Sequence, residues 1–393
     1  MITGRRQSRP FLIAVAATAA LVAAAWIATQ PNPGTNARFL NLAGASNAPS
    51  APEPPIFQQS TVARYGEGKA HSPTIMVHAD RTVQAMWFHG PREAHRDVGI
   101  ETSWLDDGQW TAPRRILSAD TEQKERGDFV STVGNPVLFG PQLGRDWFAY
   151  VTPVIRGWST SRISLRQSFD NGRTWQAPHF LALSPFLGLS HLGRYAALPM
   201  SDGFVGLPVY HELAFAYSAI AVLDQDGRVV DLRRIGTGTG DQGIQADLIL
   251  GDADMVETFL RPTRAMAPRL FAARSTDGGV TWTAPEPTQW SNPSAPACSE
   301  QFADGATLLV FNDGEAGRGR LVVWFRRPGR EQWELVDHVF TGAETREWVS
   351  YCSLARDGDR IHLVYSRFSD RSIQHALMNR AWIESRLTGD QVR

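Results

Sequence analysis

The loop Gly90-Pro-Arg-Glu93-Ala-His-Arg-Asp97-Val sets two carboxylates four residues apart, directly after an apolar run. A carboxyl group in a concave site works as a general acid when burial raises its pKa. Asp97 and Glu93 are therefore the acid/base candidates, with His95 between them. The competing role for either is an ion pair with Arg92 or Arg96, which is all that many loop charges do. Far along the chain, Tyr351 follows Glu347 by four residues. A phenol is a poor nucleophile at its ordinary pKa of ~10 and needs a base beside it. Glu347 and Glu212 are the residues that could serve. The run Tyr210-His211-Glu212 offers a second arrangement, in which His211 with Tyr210 or Tyr351 abstracts and returns a proton. Arg194, Arg261, Arg367 and Arg371 add guanidiniums, and a guanidinium grips a carboxylate through two parallel hydrogen bonds that lysine cannot copy.

These residues share one kind of position. Six segments each read as a polar residue, an apolar run, a turn and a second apolar run. They open at His71, Asn135, Arg194, Gln245, Asn292 and Tyr351, at intervals of 64, 59, 51, 47 and 59 residues. Their turns, Ala79-Asp80-Arg81, Gly140-Pro141-Gln142, Ser201-Asp202-Gly203, Gly251-Asp252-Ala253, Asp304-Gly305 and Asp357-Gly358, are β-hairpin signals. The start of a hairpin's first strand and the end of its second lie side by side. If the six hairpins are the inner strands of blades around one axis, all twelve ends gather at one mouth of a central channel. His71, Asn135, Arg194, Gln245, Asn292 and Tyr351 then meet Glu93, Asp97, Tyr210, His211, Glu212, Arg261, Asn312, Asp313, Arg367 and Arg371 there, where a rigid scaffold carries function.

A second repeat marks the outer part of each blade. Ser168-Phe-Asp170-Asn-Gly172-Arg-Thr174-Trp175 and Ser275-Thr-Asp277-Gly-Gly279-Val-Thr281-Trp282 both read S-x-D-x-G-x-T-W. Worn copies end at Trp110, Val229 and Trp333, so successive ends are 65, 54, 53 and 51 residues apart. A repeat of that length, rich in strands and turns, is one four-stranded propeller blade. Asp and Gly suit a tight turn and Trp buries a large ring. The motif therefore reports fold and says little about chemistry. The fold class is all-β, a six-bladed β-propeller.

In these motifs the chain resembles the sialidase superfamily, specifically bacterial predicted neuraminidases built from BNR (Asp-box) repeats. The resemblance covers about residues 65–383. It is carried by His71-Ser-Pro-Thr74, Gly90-x-x-Glu93-x-x-x-Asp97-Val, Gly134-Asn-Pro-Val137, Leu207-Pro-Val-Tyr-His-Glu212, Ser291-Asn-Pro-Ser294 and Ile373-Gln-His375. It implies an aspartate acid/base near Asp97, with Glu93 and His95 as rivals, and a tyrosine nucleophile at Tyr351 paired with a glutamate. It also implies that Arg194, Arg261 and Arg371 hold a carboxylate. The sequence departs from the family where the first-blade Arg-Ile-Pro element reads His71-Ser72-Pro73, so one arginine of the triad is absent. Tyr351-Cys352 and Gln245-Ala246 replace the usual Tyr-Pro and Gln-Pro.

Bulk properties narrow the partners. Net charge is −1, which gives no case for nucleic acid. The histidines show no paired ligand spacing and two cysteines are too few for a zinc site, so no metal or cofactor is expected. Cys298 and Cys352 either pair in an oxidising compartment or stay as two core thiols. Residues 1–10 carry Arg5, Arg6 and Arg9. Residues 11–29 form an apolar run without a charge, read as a signal anchor or a signal peptide. Residues 30–60, rich in Pro, Ala, Asn, Gly and Ser, read as a linker. The propeller is expected at 61–386, with a tail at 387–393. The expected setting is anchorage in the cytoplasmic membrane through 11–29, facing the periplasm or extracellular side, with secretion as the alternative.

The functional expectation is an exo-glycoside hydrolase that removes an acidic or unusual terminal sugar from a glycan or polysaccharide. The site would comprise Asp97, Glu93, Tyr351, Glu347, His211 and Glu212 as catalytic groups. His71, Asn135, Arg194, Tyr210, Gln245, Arg261, Asn292 and Arg371 would bind substrate. A uronic-acid polysaccharide lyase and a non-catalytic glycan-binding propeller are the alternatives, because one fold hosts many functions.

Overall fold

The computed structural model describes residues 34–41, 53–140, 144–153, 158–184, 188–212, 215–342 and 347–389. Six antiparallel sheets stand around one axis. Blade 1 runs outward through Lys69–Val77, Val83–Gly90 and Gly99–Asp106, then the short Gln109–Trp110 and Arg114–Ser118. Blade 2 comprises Gly134–Phe139, Asp146–Pro153, Ser161–Ser168 and His179–Phe180. In blade 3 the inner strand is split into His191–Gly193 and Leu198–Pro199, both paired to Val205–His211, with Tyr217–Leu223 and Val229–Arg234 outside. Blade 4 is Ile244–Leu250, Val256–Arg261, Arg269–Ser275 and Glu286–Ser291. Blade 5 is Cys298–Gln301, Thr307–Phe311, Arg320–Arg326 and Trp333–Thr341. Blade 6 draws on both ends of the described chain. Val349–Asp357, Arg360–Arg367 and Ser372–Asn379 are completed by Phe57–Arg64 as the outer strand, which closes the ring.

Each wedge between neighbouring blades holds its own apolar core. Met76, Met86 and Ile100 of blade 1 meet Leu138, Phe148 and Tyr150 of blade 2. Phe259 and Trp290 of blade 4 meet Leu309 and Phe311 of blade 5. Burying one such side chain contributes roughly 1.5–3 kcal/mol, so the wedges dominate the stability of the ring. Cys298 and Cys352 form a disulfide between the inner strands of blades 5 and 6, with their Cα atoms 5.8 Å apart.

Residues 34–41, expected within a linker, pack against the body instead. Phe39 is buried between blades 3 and 4 and bridges to Met200. The buried Arg233 donates to the Ala37 carbonyl at 2.7 Å. The strand Phe57–Arg64 begins ahead of the expected propeller boundary at 61, and a helix at Arg380–Gly389 runs into the expected tail.

The membrane expectation is corrected at this level. Among the described residues no helix is long and apolar enough to cross a membrane. The two α-helices among the described residues, Ala119–Arg126 and Arg380–Gly389, have 8 and 10 residues, whereas a span needs about 20. The run at 11–29 lies outside the described residues. The anchor, the cytoplasmic membrane as a partner and a membrane-anchored location therefore have no support among the described residues.

The Asp boxes sit at the end of the ring opposite the hairpin mouths, in the turns between third and fourth strands. Asp170 accepts from the backbone N–H of Arg173 and Thr174 at 3.1 and 2.9 Å and from the Ser168 hydroxyl at 2.8 Å. The Thr174 hydroxyl, these amides and the Ser168 hydroxyl hold its carboxyl at about 2. A carboxylate with a depressed folded pKa stabilises the fold fully above its unfolded pKa and loses that contribution as pH falls through the folded value. Asp170→Ala should cost about 1–2 kcal/mol at neutral pH, as lost turn caps do. In urea denaturation the gap from wild type should narrow as pH falls from about 4 towards 2.

Candidate functional site

The mouth is built by a local backbone device. Inner strands open on non-glycine residues in the left-handed region: Ser72 (φ 54°), Asn135 (43°), Gln245 (57°) and Tyr351 (60°). In blades 1, 2, 4 and 6 the strand register slips at the same point, at His71/Thr74, Gly134/Val137, Ile244/Asp247 and Ser350/Ser353. A bulge puts two residues against one and re-aims the side chain. Asn135, Gln245 and Tyr351 are thereby turned into the axial cavity. Such conformations cost roughly 1–3 kcal/mol each and persist only where surrounding structure over-determines them.

The cavity has a volume of about 220 Å³ and is lined by His71, Phe88, Glu93, Asn135, Trp158, Leu192, Tyr210, Glu212, Gln245, Arg261 and Tyr351. One wall is apolar, formed by Phe88, Trp158 and Leu192. The other is a hydrogen-bonded chain. Arg261 Nη1 donates to the Tyr351 phenol oxygen at 3.0 Å and to Gln245 Oε1 at 3.2 Å, and its Nε donates to Ser294 Oγ at 3.2 Å. Gln245 Nε2 then donates to the Tyr210 hydroxyl at 3.2 Å, and Asn135 Nδ2 reaches the same oxygen at 3.5 Å.

Charge and burial oppose one another at the phenol. Burial would raise the Tyr351 pKa, yet the guanidiniums of Arg261, Arg318 and Arg194 outweigh it and bring the group below its ordinary value. Tyr210 shows the opposite balance. Burial raises it, the charges of Glu212 and Tyr351 raise it further, and it stays a phenol. Burial also raises the Glu212 carboxyl, against the pull of Arg261. His71 is neutral, because burial and then the surrounding cations push it well below the usual imidazole range. Its Nδ1 bonds Ser366 Oγ at 3.0 Å, and its Nε2 lies 3.8 Å from Glu93 Oε1. That approach involves a neutral ring and is no ion pair.

The structure separates the expected site residues. Glu93 lines the cavity, whereas the Asp97 side chain is 73% exposed and 3.6 Å from His95. Glu212 lines the cavity, whereas Glu347 pairs with Arg367 at 3.0 Å. Tyr210 faces in. His211, its neighbour on the strand, faces away, as strand alternation requires. The His211 ring stacks on Tyr217 and its Nδ1 bonds the Phe215 carbonyl at 3.2 Å. Arg261 reaches the phenol, while Arg371 is exposed in the turn before Ser372–Asn379. Asn292 is fully buried and caps its own loop, accepting from Ala295 N at 2.8 Å.

Arg194 is not a lining residue. It is buried beneath Tyr351 and donates to Ser72 Oγ at 3.2 Å, Pro73 O at 3.0 Å and Cys352 O at 2.7 Å. Its guanidinium stacks 5.2 Å from the Tyr351 ring. Together with the disulfide, this holds Cys352, the residue after Tyr351, from blades 3 and 5 at once.

Arg318 takes a place that no sequence pattern marked. It donates to Ser350 Oγ at 3.3 Å and to the Ser294 carbonyl, and it lies 5.9 Å over the Tyr351 ring. Burial and the neighbouring Arg261 push it down to about 10. Its only signal is position, between Gly317 and Gly319 in a loop at the same mouth. Trp158, Phe88 and Leu192 were likewise unmarked, because an apolar residue in a strand or helix reads as core.

Comparison with known proteins agrees with this architecture. The family model described as a BNR repeat-like domain matches residues 81–363, well over half of the chain. The chain belongs to the BNR repeat-like domain family. Among curated proteins, none matches it in sequence. Several solved structures share the fold of this BNR propeller. The Hadza microbial sialidase Hz136 aligns with TM-score 0.61 at 17% identity, over 78% of this chain and 65% of that one, so the chain spans just under two thirds of that enzyme. A protein of unknown function from Dyadobacter fermentans aligns with TM-score 0.65 at 14% identity, over 82% and 99% of the two chains. The intramolecular trans-sialidase of Ruminococcus gnavus, solved with oseltamivir carboxylate, aligns with TM-score 0.64 at 14% identity, over 82% and 98%. At these identities the likeness concerns the fold.

The electrostatics of the BNR propeller's mouth predict a measurable titration. The Tyr351 phenol should ionise below ~10 when difference absorbance of wild type is compared with Tyr351→Phe. In Arg261→Gln that step should move upward, because a cation stabilising the phenolate is gone.

Proposed function

We propose that this BNR propeller is a retaining exo-glycoside hydrolase that removes a terminal acidic sugar. The observation that carries the reading is the Tyr351 phenol, bonded by Arg261 at 3.0 Å and drawn towards ionisation inside a cavity bordered by two carboxyl groups, Glu93 and Glu212. Tyr351 Oη forms a bond to the anomeric carbon as the bond from that carbon to the leaving oxygen breaks. Glu93 gives its proton to the leaving oxygen. Water then attacks the same carbon, Glu93 takes the water proton, and the Tyr351–sugar bond breaks with overall retention as Tyr351 Oη recovers its proton from Glu212. Glu212, its pKa raised by burial, accepts the proton that Tyr351 sheds on activation. His71, neutral and fixed by Ser366, stands beside Glu93 without forming an ion pair with it.

Arg261 and Arg318 support an acidic substrate. Neither forms an ion pair with a carboxylate among the described residues, so their charge is available to a ligand. The apolar wall of Phe88, Trp158 and Leu192 suits the non-polar face or an acyl group of the sugar. A lyase built on His211 gains no support from a ring stacked on Tyr217 outside the cavity.

The test is a panel of fluorogenic sialosides, uronides and neutral glycosides. One acidic member should be cleaved with retention by NMR. Tyr351→Phe and Glu93→Gln should each lower kcat/KM by about 10²-fold or more. Cleavage of no member, or full activity in Tyr351→Phe, would overturn the reading.

A further inference from the structure

We infer that the rim of the cavity carries a second sugar subsite, formed by Trp348 with Phe368, that stacks the pyranose on the leaving-group side of the scissile bond. The inference rests on the glycosidase reading above. Trp348 is 48% exposed, a large indole left in solvent where a propeller normally buries it. It is also held in place. Its carbonyl accepts from Phe368 N at 2.8 Å at the open end of the blade 6 hairpin, and the ion pair of Glu347 with Arg367 pins the residue before it.

Two chains of contact connect this indole to the phenol. Trp348 meets Phe368 edge-on at 6.3 Å, Phe368 meets His71 at 4.6 Å, and His71 meets Tyr351 at 4.1 Å. On the other side, the Arg318 guanidinium lies 5.6 Å from Trp348 and 5.9 Å from Tyr351. The exposed ring is thus the outer end of the aromatic surface whose inner end is the reacting group. A pyranose presents a flat C–H face and an edge of hydroxyls. The indole takes the first, while Arg318 and the Glu347–Arg367 pair stand beside it for the second. Among the other exposed aromatics, Phe169 lies in an Asp-box turn at the opposite end, Phe129 stacks with Arg96, and Phe180 lies under Arg126 and Arg162.

The experiment measures equilibrium binding by calorimetry in the full chain carrying Tyr351→Phe, which blocks turnover. The probes are 3′-sialyllactose and the methyl α-glycoside of the same acidic sugar. The trisaccharide should bind about five- to tenfold tighter, the effect of one stacked ring. Adding Trp348→Ala should bring that ratio close to one, and Trp348→Phe should restore most of it. A ratio that survives Trp348→Ala overturns the subsite and leaves the hydrolase reading standing. Binding of neither probe overturns the subsite, and the uronide members of the panel then decide the acidic-sugar reading.

Discussion

Everything at the mouth depends on a backbone constraint: the left-handed residue that opens an inner strand. An inner strand that ran straight to its end would point alternate side chains into the wedges on either side. The bulge breaks that alternation at one residue and turns it towards the axis. Asn135, Gln245 and Tyr351 all adopt this conformation themselves. None is glycine, so each holds a conformation that an L-residue rarely takes. The wedges of packed side chains on both flanks make the cost bearable, and the shape of the site follows from the rigidity of the ring.

Tyr351 is the most heavily constrained of the three. The disulfide ties the next residue to blade 5, and Arg194 ties its carbonyl to blade 3. The same Arg194 also contributes positive charge under the ring. Position and electrostatics thus come from one buried side chain. Arg261 completes the arrangement by bonding the phenol oxygen while bracing Gln245, whose amide in turn donates to the Tyr210 hydroxyl, a group that burial keeps neutral. Two buried tyrosines a few ångströms from shared partners therefore titrate in opposite directions. The difference lies in which of them faces the guanidiniums and which faces Glu212.

The ring divides labour between its two ends. Asp boxes, inner hairpin turns and the segment 34–41 knit one end together. Asn171 of the blade 2 box donates to Asp80 of the blade 1 turn, and Arg38 pairs with Asp254 of the blade 4 turn. The other end is left open, with polar groups that satisfy one another around a cavity. Stability and chemistry are thereby separated by the length of a strand, so the mouth can change residue by residue while the fold persists.

The sequence by itself determined the number of blades, the hairpin turns and the end at which the polar residues gather. These depend on local rules: strand periodicity, turn residues and a repeat that returns every 50 to 65 residues. It also contained Tyr351, Gln245, Asn135, Arg261, Tyr210, Glu93 and Glu212, because each lies at a strand end that the hairpin pattern could locate. It could not choose between Asp97 and Glu93, between Glu347 and Glu212, or between a binding and a bracing role for Arg194. Those choices depend on which way a loop side chain turns and on what approaches from another blade. Arg318 was illegible for the same reason, as its partners lie on different blades, Ser294 in the loop ahead of Cys298–Gln301 and Ser350 and Tyr351 in Val349–Asp357. The closing strand Phe57–Arg64 and the buried Phe39 were hidden in a stretch whose composition resembles a linker. Only tertiary structure decides such matters, because burial and proximity are set by the whole ring and not by neighbours in the chain.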